Sequence, residues 1–327
     1  MESNQSPQLQ SLNERSARLC ETAIEQAKTL DIKISQEQNV TLLDFGVGRK
    51  GTEAAGLLLS RICMADLAEI SILPPSDCSL SLPQLKVATQ WPQLACIAAQ
   101  YAGWPFALDS YYAMASGPGR LIRGKEEILT PYVLKSPIET AVICLESDHL
   151  PGTDECRELS RELSQAPNLF VCVAPTNSIP GTLQVIARSI ETAMHKIHEL
   201  KFDLDLVNRG MGIAPIPPLG KTSFQSLGWT NDAILYGGYV DLWFNATQAK
   251  LEPIIKKIAS NTSADFGAPF ETIFRKYDHD FYKIDRMLFS PAEVCCHSLQ
   301  DDRQATSGER RPDILTNSFG DATRKKP

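Results

Sequence analysis

Four side chains able to do chemistry fall within eleven residues: Arg188, Glu191, His195 and His198. On a helix, Arg188 and Glu191 are three apart and can touch. Three readings fit the set. A solvated ion pair would add about 0.2–1 kcal/mol and nothing else. Glu191, His195 and His198 could hold a metal, without a named ligand from another element. Glu191 could instead act as a general base, with Arg188 fixing its rotamer and keeping it ionised by lowering its pKa. The loop 174–181, which carries Thr176, Asn177 and Ser178, stands directly before this helix. It offers hydroxyls and backbone N–H groups beside a helix N-terminus, and so favours the third reading.

A second stretch invites another chemistry. The run VTLLDFGVGRKG, 40–51, is an apolar strand followed by Gly46-x-Gly48-x-x-Gly51. Dinucleotide-binding domains begin this way and place an acidic residue about 20 positions further on, at the end of the second strand. Here that strand, AEISIL, ends in Leu73-Pro74-Pro75; Glu69 lies at its wrong end and Asp77 lies past two prolines. The glycines therefore read as a turn from strand to helix, and a nucleotide-cofactor enzyme (a methyltransferase or a dehydrogenase) stays as the alternative. Further polar groups fall in loops or at strand ends: Ser116-Gly117-Pro118, Glu146 after TAVICLE, Asn231-Asp232, and Tyr282-Lys283.

The elements that must position these groups alternate in type. Helices are expected over 11–31, from a Thr52 cap to about Asp66, and over 93–102, 153–165, 182–200 and 247–259. Strands are expected at 40–45, 68–73, 104–108, 140–146 and 169–174, followed by a Tyr/Gly-rich strand within 230–244. Residues 40–73 thus form a βαβ-like opening. In the 182–200 helix Leu183, Ile186, Ile190, Met194 and Ile197 form one apolar face, opposite the Arg–Glu–His set. The stretch 111–120 ends in a Ser-Gly-Pro-Gly loop. The Gly/Pro-rich stretch 208–222 reads as a loop suited to a substrate lid. The tail after Asp301 reads as partly unstructured, with a short element at 313–319. The pattern is that of an α/β protein with two lobes, not a dinucleotide-binding Rossmann domain. The expected division is 1–120 plus 285–320, then 121–284, with a loose tail at 321–327.

Composition limits the function. The chain has 327 residues, 43% of them hydrophobic, and a net charge of −7. That excludes global disorder and argues against a nucleic-acid footprint. Nine cysteines at irregular spacing, among them Cys78, read as free buried thiols in a reducing cytoplasm. The first twenty residues have no apolar core of a signal peptide, and no run is long enough to span a bilayer.

The motifs together resemble one family. VAPTNSIPGTLQVIARSIETAMHKI, YYAMASGPGR, CLESDHLP, WTNDAILYGG and DFGAPFETIFRKYDHDFYKIDRMLFSPAEV are similar, in order and spacing, to the methenyltetrahydromethanopterin cyclohydrolases. The likeness covers about residues 40–296. It includes Asp44-Phe45-Gly46-Val47, although the family pattern does not require the full glycine motif. His195 and His198 lie outside that pattern, and the tail after 300 resembles it least. The resemblance implies two α/β lobes with the active site in the cleft, a homo-oligomer, usually a trimer, and hydrolysis of the N5,N10-methenyl bridge to the N5-formyl compound. It assigns catalysis to Arg188 and Glu191. It implies a pterin substrate, no metal and no other cofactor. Ser116, Gly117, Pro118, Glu146, Thr176, Asn177, Ser178, Asn231, Asp232, Tyr282 and Lys283 are the expected substrate contacts. A pterin-binding carrier without chemistry is the non-enzymatic alternative, which the intact Arg188 and Glu191 disfavour. The thiols and modest charge fit a bacterial formaldehyde-oxidising, methylotrophic context.

Overall fold

The computed structural model describes residues 7–75, 80–134, 136–164 and 166–320. Cys78 and the expected tail at 321–327 lie outside the described residues, as do the first six of the polar N-terminal residues.

In chain order the first elements are α1 (Ser11–Glu25), α2 (Ala27–Leu30), β1 (Lys33–Glu37), β2 (Val40–Asp44), α3 (Glu53–Cys63), β3 (Glu69–Leu73) and β4 (Gln84–Thr89). A π-helix, Gln93–Gln100, leads to β5 (Trp104–Leu108), β6 (Tyr111–Ser116) and α4 (Arg120–Arg123). Next come β7 (Thr140–Glu146), α5 (Thr153–Glu162), β8 (Asn168–Ala174), α6 (Ile179–Ile186), α7 (Ser189–Glu199) and β9 (Val207–Pro215). The last are α8 (Ser223–Gly237), β10 (Tyr239–Phe244), α9 (Gln248–Ile255), α10 (Phe270–Lys276), β11 (Glu293–Ser298), β12 (Gln304–Gly308) and α11 (Pro312–Phe319).

The first compact unit, residues 1–68 and 94–184, holds a six-stranded sheet ordered β1-β2-β8-β7-β6-β5. Its centre is parallel, with Leu42 beside Val171 and Ile143 beside Val171, and its outer strands run antiparallel. The nearly unbroken apolar runs of β7 and β8 follow from this central placement, since both faces of a central strand are covered. Leu19, Cys20 and Ala23 of α1 pack with Leu59, Ile62 and Cys63 of α3 in the core of this unit. Helix α3 starts as its sequence demands: the Thr52 hydroxyl accepts from Ala55 N at 3.1 Å, and Glu53 stands in the first turn.

The second unit, residues 69–93 and 185–327, holds the sheet β12-β11-β10-β9-β4-β3, antiparallel except for the β10/β11 pair. The architecture is α/β with two mixed sheets. The units divide the chain at points other than the expected lobes, because β11 and β12 extend the sheet begun by β9 and β10.

Several element expectations are corrected. β2 and β3 join different sheets, so residues 40–73 do not form a βαβ unit. The 11–31 helix breaks at Gln26, and the 182–200 helix breaks at Ala187-Arg188. Apolar spacing survives a one- or two-residue interruption, so period alone cannot reveal it. Residues 111–116 are strand, and the stretch expected as a lid is largely β9, in the middle of a sheet. Its glycines serve close packing: a Cβ on Gly212 would lie 2.3 Å from Ser189 Oγ of α7. Thr230, Asn231 and Asp232 lie inside α8, and the tail after 301 supplies β12.

Candidate functional site

The break at Ala187-Arg188 sets the geometry around Glu191. Arg188 occupies the N-cap of α7 with φ −84° and ψ 7°, and Glu191 stands in its first turn. The two are therefore not neighbours on a continuous helix. They meet across a helix start, with Arg188 Nη1 3.8 Å from Glu191 Oε2. Both residues are buried, at 8% and 5% exposure, which removes the solvated ion pair as a description. A carboxylate in the first turn lies at the positive end of the helix dipole.

Helix α7 is held rigidly. Ile190, Met194 and Ile197 are fully buried. Lys196 is fully buried too, and its Nζ donates to Ala259 O at 3.3 Å, to Thr262 Oγ1 at 3.1 Å and to the Met287 carbonyl. Burial pulls the Lys196 pKa down to about 8. His195 Nε2 lies 3.5 Å from Glu199 Oε1, and burial lowers the His195 pKa. Among the described residues, Glu191, His195 and His198 are not gathered as a ligand set.

In the first unit, the ends of three neighbouring strands gather expected site residues. Glu146 closes β7 beside Ala174 of β8, and Ser116 closes β6 beside Cys144. The Thr176 hydroxyl donates to the Glu146 carboxylate. Ser116 and Glu146 line a small cavity together with Cys144, Cys172 and Gln184. Gln184 was not singled out from sequence; its place in the first turns of a helix that follows a Thr/Ser-rich loop was the available signal. Asn177 is half-buried beside Thr176. Ser178 starts α6: its hydroxyl donates to Pro175 O at 2.8 Å and accepts from Gly181 N at 3.0 Å. Gly117 turns the chain at φ +98°, and Pro118 O accepts from Asn13 Nδ2 at 3.1 Å.

The remaining candidates lie elsewhere. The Asp232 carboxylate accepts from Phe270 N at 2.8 Å and from Ser318 Oγ at 2.5 Å, inside the packing of α8 against α10 and α11. Burial pushes its pKa up to about 7. Asn231 Nδ2 donates to Leu227 O at 2.8 Å. Tyr282 is 68% exposed, and Lys283 pairs with Asp280 at 3.7 Å on the surface of the second unit.

The glycine loop is folded onto its own aspartate. Buried Asp44 accepts from Gly46 N at 3.0 Å, Val47 N at 2.6 Å and Gly48 N at 2.8 Å. These are the amides a phosphate-binding loop would present to its ligand, and here a carboxylate takes them. Gly51 sits at φ +66°, where a Cβ would lie 2.7 Å from Phe45 O. A Cβ on Gly46 would lie 2.4 Å from Ser178 Oγ, so the turn and its close packing account for Gly46 and Gly51.

The chain matches the family model described as Cyclohydrolase (MCH) over residues 11–319. It is 43% identical over 285 residues to a methenyltetrahydromethanopterin cyclohydrolase of Rhodopirellula baltica, covering 85% of this chain and 86% of the relative. A protein of the same name from Methanococcoides burtonii is 39% identical, with 89% and 92% covered. Another, from Methylobacillus flagellatus, is 34% identical, with 95% of each chain covered.

Proposed function

We propose a mechanism from the premise that this chain belongs to the cyclohydrolase (MCH) family. Its activity is hydrolysis of the methenyl bridge of tetrahydromethanopterin, and the nucleotide-cofactor alternative is not favoured. The reacting carbon lies between two nitrogens and shares their positive charge, so it is already electrophilic. What the protein adds is a placed water and a group to take its proton.

Glu191 fills that role. Water attacks the methenyl carbon as its proton passes to the Glu191 carboxylate, giving a neutral carbinolamine. In the collapse the hydroxyl gives up its proton as the C=O forms, the bond to N10 breaks while N10 takes up a proton, and the carbon stays on N5 as the formyl group; Glu191 then releases its proton to solvent. One water is consumed and the cationic charge is released as a proton. The same carboxylate favours the cationic ring electrostatically before the attack. Arg188 acts as a positioning residue, keeping Glu191 ionised and aimed from the cap of α7. The observation that carries this reading is the buried Arg188–Glu191 pair at a helix start.

The pterin offers N–H donors that a carboxylate accepts well. Within the first unit, the Thr176 hydroxyl sets the Glu146 carboxylate, with Ser116 and Gln184 beside it, a group suited to such donors. The reaction so written uses no metal or organic cofactor. A homo-oligomeric, cytoplasmic enzyme of one-carbon metabolism, trimeric and serving formaldehyde oxidation, completes the proposal; resemblance to the family carries that part, and sizing by light scattering tests the assembly. Among the described residues no helix is long and apolar enough to cross a membrane.

The test is Glu191→Gln, followed by the loss of near-ultraviolet absorbance of the methenyl compound. Turnover is expected to collapse while substrate still binds. Wild-type turnover in the variant would overturn the assignment.

A further inference from the structure

The sheet of the second unit has two faces of different character. Alternate residues of β9 and β10, among them Gly210, Gly212, Val240 and Leu242, face α7 and are buried. The residues between them point to the other face. On that face Asp241 of β10 stands directly beside Cys295 of β11, and His297 follows Cys295 by two residues. Two strands and a period of two thus bring a carboxylate, a thiol and an imidazole together, and their ligand atoms all lie within 4.8 Å of one another.

The surroundings hold these groups in place. His297 Nε2 and the Asp241 carboxylate share a hydrogen bond of 2.6 Å. The Tyr239 hydroxyl donates to Asp241 Oδ1 at 2.7 Å. The His297 ring stacks on Trp243 at 4.7 Å and 11°, and Arg209 covers the same indole at 4.5 Å. Arg310 lies over the Tyr239 ring at 5.2 Å and pairs with Glu293 at 3.0 Å. Asp241 and Cys295 are buried, whereas the His297 side chain keeps 20% exposure, so one side of the cluster opens outward.

We propose that Asp241, Cys295 and His297 form a binding site for a zinc-class divalent transition metal, on the opposite face of the sheet from the helix that carries Glu191. A thiolate, an imidazole and a carboxylate make up a ligand set that suits zinc and its neighbours and does not suit magnesium or calcium. With bonds of about 2.0–2.3 Å, tetrahedral ligand atoms lie about 3.3–3.8 Å apart; the three atoms lie within 4.8 Å of one another, and a metal would replace the 2.6 Å His297–Asp241 hydrogen bond by moving these two groups apart. The fourth position is left to water or an exogenous ligand on the open side. Tyr239 orients the carboxylate, and the Trp243 stack orients the imidazole. Metal uptake displaces the Cys295 thiol proton to solvent as the sulfur–metal bond forms.

The experiment titrates cobalt(II) into the chelator-treated full-length protein. The wild type is expected to take up a single equivalent, with a thiolate-to-cobalt charge-transfer band and tetrahedral visible bands that zinc then bleaches. Cys295→Ser should abolish the charge-transfer band. His297→Ala should weaken binding at least about tenfold, and Tyr239→Phe, which removes only an outer partner, about tenfold. Circular dichroism confirms that each variant is folded. A wild type without the charge-transfer band, or a band that persists in Cys295→Ser, overturns the site.

Discussion

The turn at Asp44 and the helix start at Arg188 carry the same components, a carboxylate beside exposed backbone donors, and use them in opposite ways. Asp44 accepts three amides of its own loop at 2.6–3.0 Å. Its charge is spent locally, and the loop that resembles a nucleotide cradle is a closed structural unit. Glu191 instead meets a guanidinium at 3.8 Å on the first turn of a rigid helix. In the proposed reading, that arrangement aims the carboxylate at the substrate water. The first carboxylate closes a loop; the second is the one we propose as the base.

The comparison breaks first at Glu191. Glu191→Gln should lower kcat by about 10²–10⁴-fold with little change in substrate binding, the range of a positioned general base; stopped-flow turnover and equilibrium binding read the two effects. Arg188→Ala should cost less, about 10–100-fold in kcat, and Arg188→Lys should restore part of it, as charge returns without the planar fork. Partial rescue of kcat by Arg188→Lys at unchanged KM separates this role from simple destabilisation.

Asp44→Ala tests the other side. It strands three amides and should cost about 2–3 kcal/mol of stability, read by denaturant unfolding, while kcat per folded enzyme stays near wild type. A large loss of kcat with unchanged stability would place Asp44 in the chemistry and dissolve the contrast. Gly212→Ala sharpens it from beneath α7: the new Cβ would press on Ser189, costing about 1–2 kcal/mol by overpacking and lowering kcat through displacement of the helix start.

Asp232 offers a third fate for a carboxylate. Burial raises its folded pKa to about 7, well above the unfolded value near 3.9. The native state then binds more protons than the unfolded state between those values, so stability falls as pH rises from about 4 to 7. The slope approaches about 1.4 kcal/mol per pH unit. Asp232→Asn should flatten that slope in thermal melts across the window and leave turnover near wild type.

Much of the fold was legible because it is written in local patterns. The strand TAVICLE spans the same residues in the structure as in the sequence reading, and Thr52 caps α3 as its type suggests. Arg188 and Glu191 were also visible, through their spacing and through the family motifs around them. Errors arose where one residue type serves two purposes. Gly210 and Gly212 look like loop punctuation and are instead close-packing positions in β9. Asn231 and Asp232 look like a strand-end pair and lie within α8.

The sequence by itself determined the α/β class, the central strands of the first sheet and the identity of the Arg–Glu pair, because hydrophobic period, caps and motif order are properties of neighbouring residues. Only the tertiary structure decided what each polar group is for. The interruption at Ala187-Arg188, the amides folded onto Asp44, the burial of Asp232 and the meeting of Asp241 with Cys295 and His297 all depend on partners brought from elsewhere in the chain. Whether a carboxylate closes a turn, is buried between helices or stands at a helix start is set by which donors its neighbours leave within reach.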